Sequence, residues 1–452
     1  MIRLNPALGV FLIAAAFSGA CSGARGDGRA SAHRREQGIA ARAESAPAAD
    51  TASGAADAVN TADAVEAADA VDAADTVEDA DADTETQYAV WRAYAAELAA
   101  ALDDRLLAAQ VIMAGLDGKE KLGPAMRDIY RAVPPGAVML FRYNLDSDKA
   151  AVRALLSECS AFIAEAGMNG IRPFMAADHE GGGVHRFGAG VERLPGAASY
   201  RKIALEQGRG RALALVEADA RRSAQEIRAL GVTLNLAPVA EILTPDNEAF
   251  LMERSYGSDA GFTGDAAAAF IRGMAASGVA CIVKHFPGNS AGDPHREQTV
   301  LDVDRETLDL LASPFAFLVN APASHHCRPS GIMLSHSVAR ARDPFRSASL
   351  SPFVIRDWLR GELGFEGIGL GDDFSMPAIA LSGMDTEEAA VAALEAGLDM
   401  VMVWPKDIVS VHRAIVRALD SGGLSRERLR EAAARILCEK LRFGLVEGGR
   451  VL

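Results

Sequence analysis

From Tyr88 onward the chain alternates short apolar runs with longer amphipathic stretches. The strand-like runs are Gln110–Ala114, Ala137–Phe141, Pro173–Ala177, Val232–Ala237, Ala280–Lys284, Gly331–Ser335, Ile368–Gly371 and Met400–Val403. The spacing predicts helices between them, among them Ala150–Ala166, Ala212–Leu230, Asp265–Ser277 and Glu387–Ala396, and a last one over Ser425–Leu441. Strands that are apolar on both faces and alternate with helices require a parallel sheet covered on its faces. Eight of them predict an α/β fold of the (β/α)8 TIM-barrel type, with a doubly wound sheet as the alternative. The polar residues fall in register with this pattern. Asp178-His179-Glu180, Asn235, Lys284-His285, His336 and Asp372-Asp373 all stand at C-terminal ends of predicted strands. That rim is where barrels of this class carry their active sites.

The first 86 residues follow a different pattern. Met1-Ile2-Arg3 and an apolar run to Phe17 lead into Ser18-Gly19-Ala20-Cys21, the layout of an export signal too short to span a membrane well. Small residues directly before a cysteine resemble a bacterial lipobox, which makes Cys21 the expected lipidation site, although Ser18 stands where Leu is usual. From Ala56 to Glu85 a six-residue repeat runs ADAVNT, ADAVEA, ADAVDA, ADTVED, ADADTE. Period six builds no helical stripe, and one Val per repeat buries almost nothing. The expected organisation is a signal segment over 1–21, a disordered Ala/Asp-rich tether over 22–86 and one catalytic barrel over 87–452. The expected location is outside the cytoplasm, on a membrane through the lipid anchor, in the periplasm or at the cell surface.

Charge sharpens that division. The formal net charge is −15, but residues 1–85 carry 6 Lys/Arg against 15 Asp/Glu, so the tether holds most of the excess. An acidic chain with a pI of about 5.1 is a poor partner for nucleic acid. After Cys21 the cysteines are Cys159, Cys281, Cys327 and Cys438, none in a CxxC, which is neither a disulfide framework nor a metal site. His325-His326-Cys327 lies in a Pro/Ser/Arg-rich loop without partner ligands and reads as solvated loop. No cofactor or metal is expected, and a monomer is.

The chemistry concentrates in five segments. Lys284-His285-Phe286-Pro287-Gly288 places two donors at a rim and then turns the chain. Asp178-His-Glu-Gly-Gly-Gly-Val-His-Arg186-Phe187 follows the third strand, Asn235-Leu-Ala-Pro-Val239 the fourth, and Arg254-Ser-Tyr-Gly257 comes soon after. The seventh strand runs into Gly371-Asp372-Asp373-Phe374-Ser375-Met376. In this order and at these strand ends, from about Leu107 to Phe443, the segments resemble the family 3 glycoside hydrolases, and most of all their bacterial β-N-acetylglucosaminidases.

The resemblance implies roles position by position. The aspartate after the seventh strand, here Asp372, attacks the anomeric carbon. In the N-acetylglucosamine-removing group a loop histidine hydrogen-bonded to an Asp two residues earlier serves as acid/base, and Asn289-Ser-Ala-Gly-Asp293-Pro-His295 supplies Asp293 and His295. Sugar-contacting positions match Asp178, Arg186, Arg254, Lys284 and His285. There are departures: the usual KHFPGHG is KHFPGNS, the loop to His295 is about two residues short, the Ser before the nucleophile is Gly371, and the acid after APV is displaced to Glu241.

The residue chemistry is consistent with those roles. A retaining glycosidase needs a carboxylate nucleophile and a proton donor for the leaving oxygen. Asp372 can be the first, kept ionised by Lys284 or a nearby Arg. A histidine with a reference pKa near 6.5 can donate and then accept a proton near neutrality, and a carboxylate such as Asp293 would fix its tautomer. His179 and His185 read as supporting residues, Asp373 as structural, and His336 as either a rim ligand or a satisfied core histidine.

The expected function is a retaining exo-β-N-acetylglucosaminidase acting on peptidoglycan fragments, with carbohydrate as its partner. One alternative is a β-glucosidase-type family 3 enzyme. Such members usually carry a further C-terminal sandwich domain, and the chain's end at Leu452, soon after the last predicted helix, speaks against one. The other is a catalytically weak glycan-binding lipoprotein, motivated by the altered loop.

Overall fold

The structure, a computed structural model, describes residues 84–452 apart from 168, 169, 189, 294, 295, 322–325 and 447–452. The signal, lipobox and repeat therefore lie outside the described residues. Eight parallel strands close into a barrel: β1 (Ile112–Gly115), β2 (Ala137–Leu140), β3 (Phe174–Ala177), β4 (Leu234–Asn235), β5 (Ala280–Phe286), β6 (Gly331–Leu334), β7 (Ile368–Asp373) and β8 (Met400–Val403). Each pairs with its neighbour in chain order, and β1 closes on β8 through Ile112 opposite Val401. All eight are the strands the apolar runs predict. Their residues are buried almost without exception, because barrel interior covers one face and the surrounding helices the other.

Helices connect the strands, and the four singled out from the sequence form at Lys149–Glu165, Arg209–Leu230, Ala260–Ala275 and Thr386–Ala396. Their boundaries follow local chemistry. Asp148 accepts from the N–H groups of Ala150 and Ala151, and Asp385 and Glu388 form a reciprocal capping box. Gly231 and Gly397 end their helices in the left-handed conformation that only glycine adopts without cost. The last helix, Arg426–Arg442, and a helix over 84–101 also pack on the barrel, the latter through Ala95 and Ala99.

Two barrel strands carry an extra residue. Between β5 and β6, Val283 pairs with Ile332 and Phe286 with Leu334, three steps against two. Between β7 and β8, Leu370 pairs with Met400 and Asp373 with Met402, again three against two. These β-bulges fall at Lys284-His285 and at Gly371-Asp372. A bulge re-aims side chains that regular pleating would send to alternate faces. Here both bulges sit where the barrel presents its most polar residues.

Candidate active site

The rim above β3, β4 and β5 holds an interlocked set of charges. Lys284 is almost wholly buried, and its ammonium lies 2.6 Å from Asp178 Oδ1 and 2.7 Å from Glu180 Oε1. Arg254 grips the same Glu180 with both prongs, Nε to Oε2 at 2.7 Å and Nη2 to Oε1 at 2.9 Å. Arg186, more exposed, reaches to 3.5 Å from Asp178 Oδ2. Burial alone would raise Glu180, but Lys284 and Arg254 outweigh it and hold its carboxyl far below the usual range. Burial would likewise strip Lys284 of its proton; Asp178 and Glu180 keep it charged.

Glu180 is the member that reading the sequence for sugar contacts passed over. The signal was available, since Asp178 and Glu180 are two residues apart and extended chain puts such residues on one side. The glycines after Glu180 make the tight approach possible. Gly181, at a φ of 99°, turns beneath Pro195, whose carbonyl oxygen would lie 2.3 Å from any added Cβ.

A second set centres on Glu241, almost fully buried. Its Oε1 lies 2.5 Å from His285 Nδ1, and its Oε2 accepts the Asn289 N–H at 2.6 Å. The Asn289 amide also donates to both carboxylate oxygens, and its own oxygen accepts from Ser337 Oγ at 3.2 Å. The departures at Glu241 and Asn289 therefore meet each other. Together they orient His285 and moor the start of the loop toward Asp293. Asp293 is partly exposed, with Arg296 Nε 3.4 Å away. His295 lies outside the described residues, as does Cys21.

Across the rim, Asp372 is the last residue but one of β7. Its Oδ1 accepts the Asp373 N–H at 2.9 Å. Burial pulls its pKa up, and His285, His336, that N–H and Lys284 together hold it below the ordinary 3.8. Of the two imidazoles, His285 matters more. His336 is itself fully enclosed, and burial pushes its pKa down against the pull of Asp372 and Asp373, which weakens its share. Its Nδ1 meets Ser349 Oγ at 2.7 Å and its Nε2 the Asp373 carbonyl at 3.0 Å, which makes it a satisfied core histidine that braces the end of β7. His179 is likewise internal, bonded to Ser223 Oγ at 2.8 Å and held neutral by burial, its pKa lowered to about 3.

Asp373 behaves unlike its neighbour. It accepts from the Ser375 N–H and the Trp404 indole N–H, yet burial raises its pKa. Gly371 has a steric reason. A Cβ there would lie 2.4 Å from the Phe374 ring, which fills the space beneath Asp372 and meets His336 edge-on at 5.5 Å. The structure thus brings Asp178, Arg186, Arg254, Lys284, His285 and Asp372 to one rim.

Ionised carboxylates, a buried ammonium and a guanidinium thus gather at the C-terminal rim of a (β/α)8 barrel, where enzymes of this architecture carry their active sites. Residues 110–438 match the model of the "Glycosyl hydrolase family 3 N terminal domain". A "Beta-hexosaminidase" of Methylococcus capsulatus is 35% identical over 301 residues, spanning 64% of this chain and 82% of that one. A family 3 beta-N-acetylglucosaminidase structure from a Paenibacillus species superposes with a TM-score of 0.69 at 30% identity, over 76% of this chain and 63% of that chain. A Beta-N-acetylhexosaminidase from Beutenbergia cavernae superposes with a TM-score of 0.65 at 27% identity, over 75% and 98%. The chain belongs to glycoside hydrolase family 3, and it is a glycoside hydrolase.

Proposed function

We propose that the protein is a retaining exo-β-N-acetylglucosaminidase that releases terminal β-linked N-acetylhexosamine from peptidoglycan fragments. The observation that carries this reading is Asp372. It is a half-buried carboxylate kept ionised at a strand-end bulge, within electrostatic reach of His285 and Lys284. Similarity to proteins named for this activity supports the N-acetylhexosamine specificity.

In this mechanism Asp178, Lys284, His285 and Arg186 hold the hydroxyls of the terminal ring through charge-assisted hydrogen bonds. Glu180 keeps Lys284 and Arg254 in place. The Asp372 carboxylate attacks the anomeric carbon as the C1–O bond breaks, and His295 delivers a proton to the departing oxygen. His295, oriented by Asp293, then takes a proton from water, which displaces Asp372 and returns the free carboxylate. Small residues between Gly288 and Gly292 suit a segment able to move.

The test is covalent trapping. A fluorinated N-acetylglucosaminyl analogue with a good leaving group should label the protein, with the label on Asp372 after digestion. A label on Asp373, or no label and tight inhibition by a thiazoline mimic of a cyclised acetamido group, would reject the assignment. His295→Ala should lose much less rate on activated aryl glycosides than on disaccharides; equal losses would remove His295 from the acid/base role. The export reading is separate: Cys21→Ala should leave membranes with its activity intact, and a variant that stays membrane-bound would sink it.

A further inference from the structure

We propose that Tyr143, Phe141 and Trp404 form an aromatic shelf that seats the sugar ring on the leaving side of the cleaved bond. This rests on the reading of the rim as a glycosidase site. The three rings stand at the ends of β2 and β8, the sector of the rim opposite β5. Phe141 stacks on Trp404 with centroids 4.7 Å apart and planes 17° from parallel, and on Tyr143 at 5.9 Å and 12°.

The shelf is built rather than incidental. Its two ends come from different strands separated by β1, and β1 ends in Gly115, where a Cβ would lie 2.8 Å from Pro405 Cδ. Only a residue without a side chain lets the Trp404-Pro405 turn lie over β1 and reach Phe141. Both polar tips are tied down. The Tyr143 hydroxyl donates to the Leu116 carbonyl at 2.7 Å, and the Trp404 indole N–H donates to Asp373. Asn144 pins the segment between, accepting from the Phe141 N–H at 2.8 Å and donating to Leu116 O at 3.0 Å. With their donors spent, Tyr143 and Trp404 still expose 40% and 37% of their surface. Besides the acceptor lone pairs of the Tyr143 hydroxyl, what they have left to offer is the ring surface not stacked on Phe141, and ring face is what the C–H face of a pyranose packs against.

Position gives the shelf its role. The charged groups suited to hydroxyls stand on β3 and β5, and the nucleophile on β7. A ring with its far hydroxyls at Asp178 and Lys284 and its anomeric carbon at Asp372 continues, through the scissile bond, toward β8. The shelf lies there, linked to the nucleophile's neighbour through Trp404 and Asp373.

The experiment compares two substrates in one variant. The β-1,4-linked N-acetylglucosamine disaccharide reaches the shelf. N-acetyl-β-glucosaminyl azide has the same first ring and a leaving group without a ring; aryl glycosides are avoided because an aryl group would stack too. The ratio of kcat/KM for disaccharide to azide should fall about tenfold in Trp404→Ala, and Trp404→Phe, which keeps a face and loses the N–H, should recover most of it. If both substrates slow in parallel and Phe behaves as Ala, Trp404 acts only through Asp373 and the shelf is refuted. If the wild type cleaves neither substrate, the glycosidase reading fails and calorimetry decides the shelf. Binding of disaccharide tighter than monosaccharide, lost in Trp404→Ala, supports it, and equal binding of the two refutes it.

Discussion

The two ends of the barrel each bury a carboxylate among cations, and they do so to opposite purpose. At the N-terminal end Asp399, fully enclosed just before β8, takes Arg428 Nη2 at 2.6 Å, Arg435 Nη1 at 3.0 Å, Arg360 and the Gly369 N–H at 2.8 Å. The arginines spend further donors on carbonyls, Arg360 on Phe365 and Gly367, and Arg428 on Gly397 and Leu398. That cluster fully satisfies the Asp399 carboxylate, leaving only the buried Arg360 Nε without a partner in it, and clamps the last helix to β7 and β8. At the C-terminal end the charges are closely paired only in part. Asp372 receives one backbone N–H, and Arg186 stands off from Asp178 at 3.5 Å. The same chemistry is structural where it is complete and available to a ligand where it is incomplete.

The comparison can be broken by substitution, and the largest effect should come from the rim. Asp372→Ala should lower kcat/KM on the order of 10^5-fold while melting within a few degrees of the wild type, since it removes a half-buried carboxylate that no cation pairs directly. A large loss of melting temperature would mean that Asp372 is structural. Asp399→Ala should do the reverse. Three arginines left without their carboxylate should cost about 3–5 kcal/mol, which at about 2–4 °C per kcal/mol shifts the melting point by roughly 10 °C. Activity per folded molecule should hold, and calorimetry beside active-site titration would expose the opposite.

Glu180 sits between these extremes, paired like Asp399 but at the working end. Glu180→Gln should cost about 2–3 kcal/mol of stability and also raise KM, because it anchors both Lys284 and Arg254. A change in one property alone would assign it to one side of the comparison. Gly371→Ser, which restores the residue usual in the family, should be destabilising here by about 1–2 kcal/mol because Phe374 occupies the space. Thermal melts would refute this if the variant proved more stable.

The subtlest test is the acid limb of the pH–rate profile. Asp372 has a lowered pKa, so its ionised form is present above 3.8 and is lost only as pH falls through a lower value. Any loss of kcat/KM setting in between pH 5 and 7 belongs to another group. If such a limb is present in the wild type and persists in His295→Ala, His295 is not its source.

The eight strands, the polar rim and the family were legible because a covered parallel sheet must be apolar on both faces, and because motifs such as KHFPG keep their chemistry in consecutive residues. The departures were legible as departures but not as a system. Glu241 and Asn289 are 48 residues apart, and nothing in their spacing says that one carboxylate takes His285 on one side and the loop's first amide on the other. Asp399 was invisible for the same reason, its three arginines arriving from two helices.

What the sequence determined by itself was periodicity and motif: which runs become strands, which end of each carries the polar residues, and which aspartate follows the seventh. Those are local properties, written in side-chain pattern and turn chemistry. Only the tertiary structure decided which charges saturate one another, where the two bulges re-aim Lys284, His285 and Asp372, and that Trp404 reaches Phe141 across a glycine at the end of β1. Pairing is set by distances through space between strands far apart in the chain, and a barrel brings those together only when it closes.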